Sequence, residues 1–370
     1  MYCKLTRRQM LASLGAFALA GAGAAAFSGR TPALAEATGD TREIEDYAGR
    51  KVTIPTQVDS VYCAVPTGEA WVATLAPTKL IAWVNQPTDA ALAYLPESLA
   101  KLPAIGGWMG QKCTANIEDI ISLAPDVIIY MGIAKSLASD ETPDQIQTQT
   151  GIPVICVPNA LEATADVYRT LGEWVCEAER GAELGDFYEE HLNHMVELLD
   201  AIPEDEYPTI YYAEGADGLS TEPTGSHHTE VIDYCHAINI ADVEMQSGQG
   251  MTPVSIEQVI GWDPEMILCH TGFVLAEDIL ANPVWQDIQA VKNGRVYNTP
   301  AVPFNWFDRP PSMMRLVGIE WFAKLIYPEI DLDLEADLTD FFHLFYNVDL
   351  TPEQVEELCN QHEISFRENK

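Results

Sequence analysis

Basic residues are scarce in this chain of 370 residues: 20 lysines and arginines stand against 56 aspartates and glutamates, a formal net charge of −36. A surface of that sign repels phosphate backbones and anionic lipid, which makes nucleic acid a poor partner. The signatures H-E-x-x-H and G-x-S-x-G are missing, so neither a zinc-helix protease nor a nucleophile-elbow hydrolase has a motif to stand on. None of the eight cysteines forms a C-x-x-C pair, which leaves a zinc knuckle without support. What is present is ordinary: 47% hydrophobic residues, with 24 glycines and 23 prolines, describe a globular chain rather than a disordered or collagenous one. The length allows two or three domains.

Residues 1–35 contain no Asp or Glu and hold Lys4, Arg7, Arg8 and Arg30. An Ala/Gly-rich apolar run spans Leu11 to Phe27, and Ala33-Leu34-Ala35 places small residues where a signal peptidase reads them. The paired Arg7-Arg8 before that run predicts a twin-arginine export signal, cleaved near Ala35. A run of 17 residues rich in Gly and Ala is short for a membrane span, so an uncleaved anchor is the alternative. Removing this segment takes four basic residues and leaves 16 against 56 acids. Cys63, Cys113, Cys156, Cys176, Cys235, Cys269 and Cys359 remain, an odd number that leaves at least one thiol unpaired. Cys63, Cys156 and Cys269 sit in apolar runs and read as buried thiols.

The remainder alternates strands with helices. Continuous apolar runs at Val61–Val65, Leu80–Val84, Val127–Tyr130, Val154–Val157 and Thr209–Tyr212 predict strands buried on both faces, the pattern of a parallel sheet covered by helices. Thr164 to Ile202 reads as helix, one to about Ala178 and a longer one from about Arg180 that Pro203 stops. An internal repeat is the most informative feature. Asn116 to Tyr130 aligns without gaps with Ser255 to Cys269, each copy giving a polar cap, Ile-Glu, one helix, a proline-acid turn and an apolar strand. Two copies this far apart predict two lobes built alike rather than a solenoid.

These motifs carry a family resemblance over nearly the whole mature chain. Asp46-Tyr47-Ala48-Gly49-Arg50-Lys51-Val52-Thr53-Ile54-Pro55, the two Ile-Glu repeats, Trp285 to Tyr297, and Asn305-Trp306-Phe307-Asp308-Arg309-Pro310-Pro311 occur in order. They are similar to those of ABC-importer substrate-binding proteins of the helical-backbone type, which serve ferric siderophores, haem, cobalamin and, in some members, molybdate or tungstate. The resemblance implies an α/β fold: two Rossmann-like lobes with central, mostly parallel sheets, joined by one long rigid helix, with the ligand cleft between them. The boundaries expected are a signal in 1–35, an N-terminal lobe in 36–179, a connecting helix in 180–202 and a C-terminal lobe with a helical end in 203–370. Glu118 and Glu257, one in each copy of the repeat, match the glutamates that dock such proteins onto permease arginines.

Ligands of open α/β sheets sit outside the carboxyl ends of the strands. That directs attention to loops holding Trp108, Lys112, His227, His228, His270, Trp306 and Arg309. Trp108 and Trp306 could stack on a flat chelate, or belong to the core. Lys112 and Arg309 are anion candidates, and the alternative for Arg309 is an ion pair with Asp308 or another acid. Direct protein–metal ligation is not expected beyond His227 or His228 reaching a metal within the ligand. His236 falls on an expected helix Thr229–Ala237.

The leading expectation is a monomeric, non-enzymatic exported protein without a cofactor of its own. It would capture a metal chelate and deliver it to an ABC permease, with no membrane insertion after signal cleavage. Alternatives are a molybdate- or tungstate-type oxyanion receptor of the same family, an exported metalloenzyme using His227, His228, His270 and Glu214, and an interaction protein that keeps the fold without an importer.

Overall fold

The computed structural model describes residues 39–109, 112–245 and 250–360. The leader read in residues 1–35 lies outside them. Strands β1 (Thr41–Glu45) and β2 (Lys51–Pro55) form an antiparallel hairpin. Its turn is the D-x-x-G-R motif. Asp46 Oδ1 accepts the amides of Ala48 and Arg50 (3.0 Å each), and Oδ2 accepts the Arg50 guanidinium (2.7 Å) and the Cys156 amide (3.0 Å). The motif therefore clips the hairpin to the first sheet.

That sheet is parallel, ordered β3-β6-β7, from β3 (Val61–Cys63), β6 (Val127–Gly132) and β7 (Val154–Pro158). Between β3 and β6 lies a short antiparallel pair, β4 (Trp108–Met109) with β5 (Lys112–Cys113). The second parallel sheet is ordered β10-β8-β12-β13, from β8 (Thr209–Ala213), β10 (Ile238–Asn239), β12 (Met266–Cys269) and β13 (Val296–Asn298). A two-residue pair, β9 (Ser220–Thr221) with β11 (Thr252–Pro253), borders it.

The apolar runs are continuous because both faces of each sheet are covered. Ile129, Met131 and Ile155 face a central core, whereas Ile128, Tyr130 and Val154 face an outer one. In the second sheet Ile210, Tyr212, Met266 and Leu268 face the same central core, and Tyr211, Ala213, Ile267 and Cys269 face another outer one. One hydrophobic core thus lies between the two sheets. It is filled by the helices Thr164–Trp174, Ala178–Asp200, Arg315–Ile326 and Leu334–Tyr346.

Three local readings change. Leu80–Val84 is not a strand: Leu80 bridges Val61 and Trp83 bridges Ala104, so the chain leaves the sheet edge after one residue. The long helix begins at Ala178, after Cys176 turns the backbone to φ 62°. The helix expected over Thr229–Ala237 is shorter, Glu230–Tyr234, and His236 lies beyond it at φ 56°. The C-terminal helices also pack against the first half, not only the second. Phe342 meets Tyr94 at 5.8 Å between ring centroids, Phe345 meets Tyr168 at 5.7 Å, and the Tyr94 hydroxyl donates to Glu357 at 3.0 Å. Apolar faces on Leu334–Tyr346 and Pro352–Cys359 need cover, and the first half supplies it. Cys63, Cys156, Cys235 and Cys269 are buried free thiols. No helix among the described residues is long and apolar enough to cross a membrane.

Candidate functional site

Strands β8, β12 and β13 run parallel, so the residues that follow them emerge at one edge of the second sheet. Those residues are Glu214, His270 and the loop from Thr299 to Arg309. A bridge between Glu214 and Ser220 turns the chain back into β9, which delivers Glu222 to the same place. The His227-His228 pair begins five residues on.

Arg309 lies at the centre of this cluster. Its Nε donates to Glu214 Oε1 at 2.8 Å, its Nη2 donates to Glu222 Oε1 at 2.5 Å, and Asp308 Oδ2 lies 3.2 Å from Nε. All three carboxylates are fully buried. The Phe273 ring covers the guanidinium at 5.9 Å. Glu222 is fixed further by the Met251 amide (2.8 Å) and the Ser226 hydroxyl (2.7 Å). Gly250 passes so close that a Cβ would fall 1.8 Å from Glu222 Oε1, and its φ is +74°, so this position requires glycine. Asn305 Oδ1 accepts the Phe307 (2.8 Å) and Asp308 (3.0 Å) amides, which aims the Asp308 side chain inward. Its Oδ1 meets His228 Nδ1 in a short hydrogen bond.

His270 is 3% exposed. Its amide donates to Ala213 O (3.0 Å), Nδ1 accepts the Gly272 amide (3.1 Å), and its ring lies 4.6 Å from that of Phe273. Burial pushes its pKa down to about 4. His227, half-buried with its ring 3.7 Å from that of His228, is likewise lowered to about 4, by burial and then by His228. Both imidazoles are therefore neutral at neutral pH, the form that binds metals. Glu214 moves the other way. Burial raises it to about 8 against the pull of Arg309. Glu214 Oε2, His270 Nε2, Asp308 Oδ2 and the Tyr212 hydroxyl are buried without a hydrogen-bond partner.

His227, His228, His270 and Arg309 are thus brought together, whereas the two tryptophans lie in core. Trp306 is fully buried, its indole N–H donates to Val302 O (2.8 Å), and Gly318 packs on its backbone, so it is a core residue and not a stacking platform. Trp108, 8% exposed in β4, packs in the outer core of the first sheet while its amide donates to Ala64 O (2.7 Å). Lys112 pairs with Met109 through the backbone of the β4-β5 hairpin. For Arg309, the ion-pair alternative is the one observed, with three acids rather than Asp308 alone. Sequence reading missed Glu222 as a partner because 87 residues separate it from Arg309. The available signal was position, since Glu214 and His270 each directly follow a strand of the second sheet.

Glu118 and Glu257 lie exposed in the first turns of the helices Ile117–Leu123 and Ile256–Trp262. Asn116 caps the first through the Glu118 amide (3.1 Å), and Ser255 forms a capping box with Gln258 on the second. Both helices end in a left-handed residue, Ala124 (φ 47°) and Asp263 (φ 46°). In both, the acid after the proline ties down a neighbouring strand: Asp126 Oδ2 accepts the Ser60 amide (2.9 Å), and Glu265 Oε2 accepts the Thr209 amide (2.8 Å).

Comparison with known proteins places this architecture. A family model described as periplasmic binding protein matches residues 108–303. The molybdate-binding protein MolA of Haemophilus influenzae is 24% identical over 343 residues, 84% of this chain and 93% of its own. The Fe(3+)-citrate-binding protein YfmC of Bacillus subtilis is 24% identical over 201 residues, 51% of this chain and 58% of its own. A solved ABC transporter solute-binding protein from Sulfurospirillum deleyianum superposes with a TM-score of 0.77 at 29% identity, over 86% of this chain and 98% of that one. With its parallel sheets, its repeat and more than half its length matched, the chain belongs to the periplasmic binding protein family.

Proposed function

We propose that this protein is the extracytoplasmic substrate-binding component of an ABC importer, and that its cargo is a small molecule carrying a metal. The observation that carries the cargo class is the state of Arg309. Its guanidinium is engaged by the buried Glu214, Glu222 and Asp308, so its charge is offset from within, and the half-buried His227 adds a neutral imidazole beside it rather than a second cation. A neutral imidazole suits a metal centre, and a guanidinium already paired with acids has little charge left for an oxyanion. The protein binds and releases; no covalent step is involved. Delivery runs through Glu118 and Glu257, a two-point handle for a basic permease surface.

One observation favours a second reading. MolA, whose name gives molybdate as its ligand, aligns with most of this chain. An oxyanion would have to draw Arg309 away from its acids.

Native mass spectrometry of the mature protein, purified gently from its own host, separates the two. The expected result is an adduct of several hundred daltons with a metal isotope pattern. An adduct matching a lone oxyanion overturns the chelate reading and replaces it with the second.

A further inference from the structure

We propose that Glu214, His270 and Asp308 form a binding site for one divalent transition-metal ion, coordinated directly by the protein. One ligand atom from each of the three lies within 4.8 Å of the other two. Glu214 and Asp308 are fully buried, and His270 nearly so. Each side chain is anchored through one polar atom and leaves another over. Glu214 Oε1 is held by Arg309 and Asp308 Oδ1 by His228, while His270 Nδ1 accepts the Gly272 amide, which puts the ring proton on Nε2 until a metal takes its place. Glu214 Oε2, His270 Nε2 and Asp308 Oδ2 have no hydrogen-bond partner, although Asp308 Oδ2 shares the charge of Arg309 at 3.2 Å. Buried polar atoms are as a rule paired, so three left over at one point call for a ligand. The two carboxylates are thus fixed by their outer atoms, as metal ligands are.

Charge and donor type narrow the ion. Glu214, Glu222 and Asp308 against Arg309 leave two negative charges when all are ionised, which a divalent cation neutralises. One imidazole nitrogen with two carboxylate oxygens suits zinc, nickel or cobalt(II), rather than an all-oxygen ion such as calcium. Coordination through His270 Nε2 puts the ring proton on Nδ1, so the Gly272 contact opens as metal binds. The site does not depend on the importer reading. The same coordination would hold a free ion or a chelated metal with open positions.

The test uses cobalt(II) chloride titrated into the chelator-stripped mature protein, read by the visible cobalt band. Saturation at one equivalent is expected. Glu214→Gln and His270→Gln should each weaken binding by at least ~100-fold, whereas His343→Ala, an exposed histidine paired with Asp349, should leave it unchanged. X-ray absorption at the cobalt edge of the unsubstituted protein, which does not rely on any variant folding, should show one imidazole among oxygen ligands. Absence of saturable binding, a band indifferent to both substitutions, or a shell without imidazole overturns the site. A parallel titration with cobalt citrate assigns the source: citrate retained identifies a chelate, and citrate left in solution identifies the free ion. A chelate found by native mass spectrometry with no cobalt binding sinks this site alone. Cobalt binding with an oxyanion cargo sinks the chelate reading alone.

Discussion

Arg309 shows how one side chain can be misread when its partners are distant in sequence. A lone arginine in a strongly acidic chain looks like an anion clamp. Folding instead surrounds it with acids from positions 95 and 87 residues away and from its neighbour Asp308. Removing one member of a buried ionic group leaves the others uncompensated, at a cost of about 3–5 kcal/mol. Arg309→Ala should therefore lower unfolding stability by that amount in a urea titration. A stability that does not change, together with a loss of molybdate affinity, would return Arg309 to the role of anion clamp. Asp46 presents the same physics in the D-x-x-G-R clip. Its fully buried carboxylate holds Arg50 and the Cys156 amide. Asp46→Ala should cost a comparable amount, measured in the same way.

Elements were far more legible than pairings. The repeat defined both helix–turn–strand units, because caps, apolar period and the proline-acid turn are all local signals. The two helices, seven residues each, even share a burial pattern, with Ile120 and Val259 buried and Ile121 and Ile260 exposed at 47% and 39%. What local signals could not give was where Leu80–Val84 pairs, or that the last helices return to the first half, since those outcomes depend on which apolar face is left uncovered. The matched helices carry the docking assignment. Substituting Glu118 and Glu257 together by alanine should abolish most uptake in cells while ligand affinity stays within about twofold, because both side chains are exposed in the first turns of their helices. An equal loss of affinity would remove them from the docking surface.

At the scale of the molecule, the buried acids set the response to pH. Burial raises Glu69 to about 8 and Glu320 to about 7. Carboxyls of the unfolded chain lose their protons near pH 4–5. The folded state therefore binds more protons than the unfolded one above that range, and stability falls as pH rises through 7 and 8. His227 and His270, lowered to about 4, act in the opposite sense, but only below about pH 6.5, where the unfolded imidazole titrates. Melting curves should show Tm dropping by at least ~2 °C between pH 6.5 and 8.5. A flat or rising Tm would mean that these acids are ionised in the folded protein.

The core between the sheets also bears on how binding proceeds. Both sheets press their inner faces into one apolar interior, and helices from the middle and the C-terminal part of the chain fill it. Opening such a body like a hinged jaw would expose that interior to water, so wide opening is opposed by the same force that drives folding. The rim of the second sheet is consequently shaped before any cargo arrives. Under the proposed function little backbone ordering would remain to oppose association, and selectivity would rest on loops such as Thr271–Phe273 and Thr299–Arg309. A frame of this kind would let cargo preference be altered through rim residues alone.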